Sequence, residues 1–261
     1  MTYAFEKYHG TANDFIILDI RNHAIPDDPD IISQLCDRHT GIGADGVIFL
    51  EDSALYDFKM RYFNADGNEG SMCGNGGRCI SAFAHKHCLI SDNTTFEAID
   101  GKHHAEILEI NGDEYLVRLD MRDVRPAKWE DGSIFLDTGS PHLVKQCKNL
   151  SSCDVVSEGR EIRYSARFSP GGTNVNFIEL VDGVLHVRTY ERGVENETLS
   201  CGTGVAAAAI SQAIGYGAES PLEVKTLGGM LKVSFKKTDR EFTDIKLEGA
   251  AKFVFSGQIE I

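Results

Sequence analysis

Apolar and polar positions follow two periods along this chain. Residues 15–18, 47–50, 58–63, 115–119, 134–136, 177–181 and 184–190 are short runs rich in β-branched and aromatic side chains, and they read as strands. Residues 75–87 place Ile80, Phe83 and Ala84 at helical spacing. Residues 203–214 are rich in alanine, with Val205, Ile210 and Ile214 available for packing. Residues 252–255 and 258–261 are strand-like again and are expected to return to the first part of the fold.

The segments that lead into the two helices resemble each other. Tyr62-Phe63-Asn64-Ala65-Asp66-Gly67-Asn68-Glu69-Gly70-Ser71-Met72-Cys73-Gly74-Asn75-Gly76 aligns without a gap on residues 190–204. Tyr, Asn, Glu, Cys, Gly and Gly coincide, six of fifteen positions, where ordinary composition gives roughly one by chance. The offset of 128 residues also places Gly101 on Gly229, each flanked by strand-like sequence. A weaker echo joins residues 10–18 to residues 172–180 at an offset of 162, which implies an insertion in the first half. Convergent glycine-rich turns are the competing explanation. The repeat predicts an α+β fold of two pseudo-symmetric domains, each a mostly antiparallel sheet or barrel wrapped around a central helix. Residues 1–120 plus 250–261 are expected to form one domain, and residues 121–249 the other.

Composition narrows the function. With 261 residues, 42% hydrophobic and 25% charged, the chain can bury two moderate cores. Its 26 basic and 40 acidic residues give a net charge of −14, which argues against nucleic acid and anionic membranes as partners. A small anionic substrate in a local cationic pocket stays open. The N-terminus lacks the pattern of a secretory signal and the longest apolar stretch, near 205–210, is too short to span a bilayer, so a cytoplasmic protein is expected. Seven cysteines, an odd number, point to reduced thiols. No Cys-x2-Cys pair occurs, and His85/His87 and His103/His104 lack partner pairs at finger-like spacing, so no metal site is expected. Cys36, Cys79, Cys88, Cys147 and Cys153 read as small buried hydrophobes.

The remaining two cysteines open the helices, as Cys73-Gly74-Asn75-Gly76 and Cys201-Gly202-Thr203-Gly204. A helix start exposes about four backbone N–H groups and roughly half a positive charge, and glycine lets an anion approach them. The same field lowers a thiol's pKa from its reference near 8.5. Each segment can therefore supply a reactive sulfur and a carboxylate cradle together. A matched pair suits a two-base 1,1-proton transfer, in which one thiolate removes an α-hydrogen and the opposite thiol delivers a proton to the other face. A single cysteine nucleophile with a histidine, and a non-catalytic binding module, remain as alternatives; a thioredoxin-like protein would need the absent Cys-x-x-Cys.

Six segments together closely resemble the diaminopimelate epimerase family. They are Gly10-Thr11-Ala12-Asn13-Asp14-Phe15, Gly41-Ile42-Gly43-Ala44-Asp45-Gly46, Phe63-Asn64-Ala65-Asp66-Gly67, Met72-Cys73-Gly74-Asn75-Gly76-Gly77-Arg78-Cys79, Tyr190-Glu191-Arg192-Gly193 and Ser200-Cys201-Gly202-Thr203-Gly204. The resemblance implies interconversion of LL- and meso-2,6-diaminopimelate, toward lysine and peptidoglycan, with no cofactor, neither pyridoxal phosphate nor metal. It implies a homodimer. It assigns catalysis to Cys73 and Cys201, with His142 and Glu191 setting their protonation. It places the α-carboxylate and α-amino contacts on Gly74, Asn75, Gly202 and Thr203. The distal centre falls to Asn13, Asn64, Asn174 and Arg192, with Glu191 beside them; Arg192 offers a bidentate fork to the far carboxylate. Two positions depart from the family pattern: Gly46 stands where many members have Gln, and Ser140 where many have Asn. The serine is expected to lose its contact with the distal end, or to make it through water. Proline racemases and hydroxyproline epimerases resemble Met-Cys-Gly-His at the first cysteine, where this chain has Asn75, and they have no use for the Arg192 fork. Phenazine-biosynthesis-like isomerases lack the cysteine pair.

Overall fold

The computed structural model describes residues 1–23, 25, 26, 28–125, 128–130 (as backbone), 132–239 and 241–261. Its contacts divide the chain into two compact units, Met1–Leu119 with Gly249–Ile261, and Asp120–Glu248.

The first unit opens with β1 (Thr2–Gly10) and β2 (Asn13–Asp19), followed by α1 (Pro29–Cys36), β3 (Gly46–Glu51) and β4 (Phe58–Asn64). After α2 (Gly74–Lys86) come β5 (Asn93–Ala98), β6 (Gly101–Asn111) and β7 (Glu114–Asp120). Neighbouring strands pair antiparallel except β2–β3 and β4–β5, which are parallel. Residues 250–260, at the end of the chain, pair with both β7 and β1 and close the ring. Inside it lies α2, every residue of which from Gly74 to Ala84 is buried.

The second unit contains β8 (Lys128–Glu130), β9 (Ser133–Asp137), β10 (Pro141–Gln146), α3 (Val155–Arg163), β11 (Asn174–Val181) and β12 (Val184–Glu191). The short β13 (Asn196–Thr198) precedes α4 (Gly202–Tyr216), β14 (Leu222–Thr226), β15 (Gly229–Lys237) and β16 (Phe242–Glu260), whose second half is the closing strand of the first unit. Parallel pairs recur at β10–β11 and β12–β14. The alanines of α4 let Val144, Ile178, Val187, Val224 and Val233 pack close around it. A helix apolar on all sides is stable only inside a core.

The α+β expectation of mixed, mostly antiparallel sheet around one central helix per half therefore holds. Two helices lie outside it. At eight and nine residues, α1 and α3 bury only Ile32, Leu35 and Cys36, and Val155 and Gly159, too few positions to show a helical period. Their starts are capped by Asp28, which accepts from the Asp30 N–H, and Asp154, which accepts from the Ser157 N–H.

The weaker echo is corrected. β2 begins at Asn13 and β10 at Pro141, β3 at Gly46 and β11 at Asn174, and β6 at Gly101 and β15 at Gly229. The 128-residue offset thus runs throughout, with no insertion. β2 is the first member of its parallel pair, whereas the strand after Gly172 is the second member of its own. The likeness of Gly10-Thr11 to Gly172-Thr173 is one of local composition. At Gly101 and Gly229 the match is structural, since both close two-residue hairpins with φ of +120° and +147°.

Candidate active site

Cys73 is the residue before the first turn of α2, with extended backbone (φ −103°, ψ 119°), and its thiol makes no capping bond to the helix. The first intrahelical bond runs from the Gly77 N–H to the Cys73 carbonyl at 2.8 Å. The N–H groups of Gly74, Asn75 and Gly76 accordingly have no acceptor within the helix. The Cys73 thiol lies 3.6 Å from Asn13 Oδ1, which also accepts from Asn75 Nδ2 at 3.1 Å. Asn13 Nδ2 donates to Asp45 Oδ2 at 2.8 Å. Asn13, Cys73 and Asn75 thus form one chain.

Asp45, which the sequence reading did not single out, belongs to a charged cluster with Asp14, Lys7 and Arg38. Burial works against the Asp14 charge, but hydrogen bonds and charges from Arg38 and Lys7 outweigh it and hold its pKa down to about 2. Asn64 is held separately, its Oδ1 accepting from the Tyr62 hydroxyl at 2.9 Å. Gly46 follows from the same tyrosine. A Cβ there would lie 2.5 Å from Tyr62 Cε2 and 2.5 Å from the Phe63 carbonyl, so the Tyr62 ring excludes any larger residue.

In the second unit Cys201 takes the same position before α4 (φ −119°, ψ 110°), again without a capping bond from its thiol. The Val205 N–H reaches the Cys201 carbonyl at 2.9 Å. The thiol lies 3.5 Å from Thr203 Oγ1, which lies 3.0 Å from His142 Nε2. His142 Nδ1 faces Asn176 Nδ2 at 3.0 Å. Asn176 also donates to the Leu143 carbonyl and accepts from Thr189 Oγ1, which settles which end of its amide faces the histidine. His142 must then accept at Nδ1 and carry its proton at Nε2. That proton goes to Thr203 Oγ1, leaving the threonine hydroxyl free to donate to the Cys201 sulfur. Burial, aided by the Arg192 charge, pushes the His142 pKa down to about 3, so the ring is neutral. Asn176 was absent from the sequence reading; only its place two residues after Asn174 on one strand could have suggested it.

The polar contacts around Asn174 form a second group. Asn174 Nδ2 donates to Ser140 Oγ and to the Pro141 carbonyl, each at 3.0 Å, and its Oδ1 accepts from the Arg192 N–H at 2.8 Å. The Arg192 guanidinium reaches the Gly171 carbonyl at 3.3 Å and Ser140 Oγ at 3.4 Å. Ser140 Oγ thus joins the Asn174 amide to the Arg192 guanidinium, beside the direct bond from the Arg192 N–H. Glu191 accepts from Thr198 Oγ1 at 2.8 Å.

Among the described residues no three His, Cys, Asp or Glu side chains are grouped to hold a metal ion. Of the other cysteines, Cys36 and Cys79 are buried hydrophobes as expected, and burial pushes the Cys36 thiol up to about 12. Cys88 corrects the expectation, being exposed at the end of α2 with φ +55°. Cys147 and Cys153 are half-buried, with sulfurs 3.9 Å apart.

The sequence profile described as diaminopimelate epimerase matches this chain over residues 5–125 and again over residues 134–254, close to the offset of the repeat. A diaminopimelate epimerase of Flavobacterium psychrophilum is 48% identical, over 97% of this chain and 98% of its own length. One from Chlorobaculum tepidum is 43% identical, over 97% and 99%. A Bacillus anthracis phenazine biosynthesis protein of the PhzF family superposes with a TM-score of 0.81 at 17% identity, covering all of both chains, and shares the fold.

Proposed function

The chain belongs to the diaminopimelate epimerase family, and from that premise we propose that it interconverts LL- and meso-2,6-diaminopimelate by a two-base proton transfer. The observation that carries this reading is one device present in both units: a cysteine at the start of a buried helix, followed by Gly-x-Gly. One thiolate removes the α-hydrogen, and the other thiol returns a proton to the opposite face. As the Cα–H bond breaks, negative charge spreads into the α-carboxylate. The N–H groups of Gly74, Asn75, Gly202 and Thr203, with the positive ends of α2 and α4, stabilise that charge. No pyridoxal ring or metal is required by these steps.

His142 supports Cys201 as a neutral hydrogen-bond donor relayed through Thr203. Glu191, anchored by Thr198, is the second group proposed to govern thiol protonation. The distal ammonium and carboxylate fall to Asn13, Asn64, Asn174 and Arg192, with the Arg192 fork taking the carboxylate. Residues 1–119 with 249–261, and 120–248, are in this reading the two halves of the epimerase. The family reading also carries a cytoplasmic homodimer with no nucleic-acid or membrane partner; a single monomer mass in sedimentation equilibrium would remove the dimer.

The test is turnover of LL-diaminopimelate in deuterated water. Two-base transfer predicts that each molecule of newly formed meso product carries deuterium at the inverted carbon, while recovered substrate in the first turnovers does not. Cys73→Ala and Cys201→Ala should each lower epimerisation by about 10²–10⁴-fold. Substantial activity in either variant would remove the two-base scheme. Turnover of proline instead of diaminopimelate would move the chain to the racemases.

A further inference from the structure

Two thiols that the proposed catalysis does not use face each other in the second unit. Cys147 follows the last residue of β10, and Cys153 stands two residues before α3. Their sulfurs are 3.9 Å apart. A disulfide needs about 2.04 Å, so closure takes a movement of about 2 Å, within the reach of side-chain rotation.

Both backbones are anchored. The Cys147 N–H donates to the Ile178 carbonyl at 2.8 Å, which extends the β10–β11 pairing by one residue. The Cys153 N–H reaches the Leu150 carbonyl at 3.2 Å, and Arg188 Nη1 donates to the carbonyls of Leu150 and Cys153 at 2.9 and 3.0 Å. The same guanidinium forks onto Glu197 at 2.6 and 2.7 Å. Glu179 Oε2 accepts from the Leu150 N–H at 2.9 Å. Strand pairing and an ion pair therefore set the sulfur–sulfur contact.

The surroundings favour a bond between the sulfurs over charge on either one. Both side chains pack against a cluster that includes Leu150, Val155 and Phe177. Burial raises the Cys147 pKa, and burial together with the nearby Cys147 pushes Cys153 up to about 12. The charged groups facing the pair are Lys145 on β10, Glu158 on α3, Glu179 on β11 and Arg188 on β12. Lys145 is already paired with Glu158 at 2.7 Å, and Arg188 with Glu197. Strongly oxidising disulfides owe their potential to a stabilised reduced form; no such stabilisation holds this pair reduced. Its disulfide would bury no charge. Small oxidants can approach, because Lys148, Asn149, Ser151 and Ser152 between the two cysteines are exposed.

We propose that Cys147 and Cys153 are a dithiol site that hydrogen peroxide oxidises to a reversible disulfide, closing the loop between β10 and α3. One sulfur, as its thiolate, attacks a peroxide oxygen. The O–O bond breaks, the sulfur becomes a sulfenic acid, and the departing hydroxide takes up the thiol's proton as water. The second sulfur, as its thiolate, attacks the first. The S–S bond forms as the S–O bond breaks, and hydroxide leaves as water with the second proton. The sulfurs together give up two electrons, and the peroxide becomes two waters. This chemistry is independent of the epimerase reading.

The experiment treats the full chain with hydrogen peroxide, blocks free thiols with N-ethylmaleimide and maps unreduced tryptic peptides by mass spectrometry. Lys148 lies between the two cysteines, so trypsin separates them and only a disulfide keeps their peptides joined. The expected result is a joined Cys147–Cys153 pair, with both thiols lost together and recovered together by dithiothreitol. Cys147→Ser and Cys153→Ser should each abolish the joined pair, and in at least one of them dimedone should trap the remaining sulfur as a sulfenic acid. Separate, alkylated Cys147 and Cys153 peptides from protein whose exposed Cys88 has been oxidised would overturn the proposal. A disulfide from either cysteine to another partner would do the same. Both results are read on the wild type, so they stand even if a serine variant fails to fold.

Discussion

At the scale of single residues, His142 shows how burial changes what a side chain can do. A histidine beside a catalytic thiol invites a general-base role near neutral pH. Here the ring is wholly buried, and burial with the Arg192 charge depresses its pKa to about 3. It holds one tautomer and relays a hydrogen bond. The same shift has a consequence for stability. Between the unfolded value near 6.5 and the folded value near 3 the unfolded chain binds a proton that the folded chain does not. Stability therefore rises with pH across that window and is lost on acidification, with a slope of up to about 1.4 kcal/mol per pH unit. Asp14, held down to about 2, acts in the same direction but is unchanged by a substitution at His142. His142→Asn should lower stability at pH 7 and flatten the dependence between pH 6 and 4, read from urea midpoints. Equal slopes for the two proteins would refute the buried neutral ring.

At the scale of elements, two glycines at the same position in the repeat differ in their tolerance. Helix propensity alone would favour alanine over glycine at Gly204 by about 1 kcal/mol. A Cβ there would lie 2.4 Å from Asn176 Oδ1, however, and Asn176 is fixed by Thr189, Leu143 and His142. The clash outweighs the propensity. Gly204→Ala should cost about 1–3 kcal/mol of stability and lower epimerisation by breaking the chain that reaches Cys201. At Gly76 the new Cβ would meet the flexible ends of Met60 and Ile48 at 3.0 and 3.1 Å, so Gly76→Ala should be the milder change. Thermal melts and turnover of the pair decide this; a Gly204→Ala protein as stable and active as the wild type would count against the Asn176 contact.

At the scale of the whole molecule, the chain end is structural. The 19-residue β16 begins in the second unit, and its second half closes the ring of the first by pairing with β1 and β7. Deleting residues 249–261 leaves two strand edges unpaired around α2. Amides of β1 and β7 should then lose hydrogen-exchange protection, while those of α4 keep it; retained protection in β1 would show that the ring does not need its last strand. The return of this strand was legible only as an expectation, from the strand-like residues 252–255 and 258–261 at the chain end. The two cysteine-bearing helices were legible because helical period, cysteine and Gly-x-Gly are all local signals within a few residues. The short helices α1 and α3 were not, since their apolar faces are too brief to establish a period. The order of the repeat also needed strand pairing, because composition alone matched Gly10-Thr11 to the wrong strand. Sequence by itself thus determined the class of fold, the family and the pair of thiols. Only the tertiary structure decided what surrounds each sulfur: Asp45 lies 32 residues from Asn13, and Asn176 lies 34 from His142. Hydrogen bonds over such separations leave no periodic trace, and whether a buried group is charged or neutral depends on them.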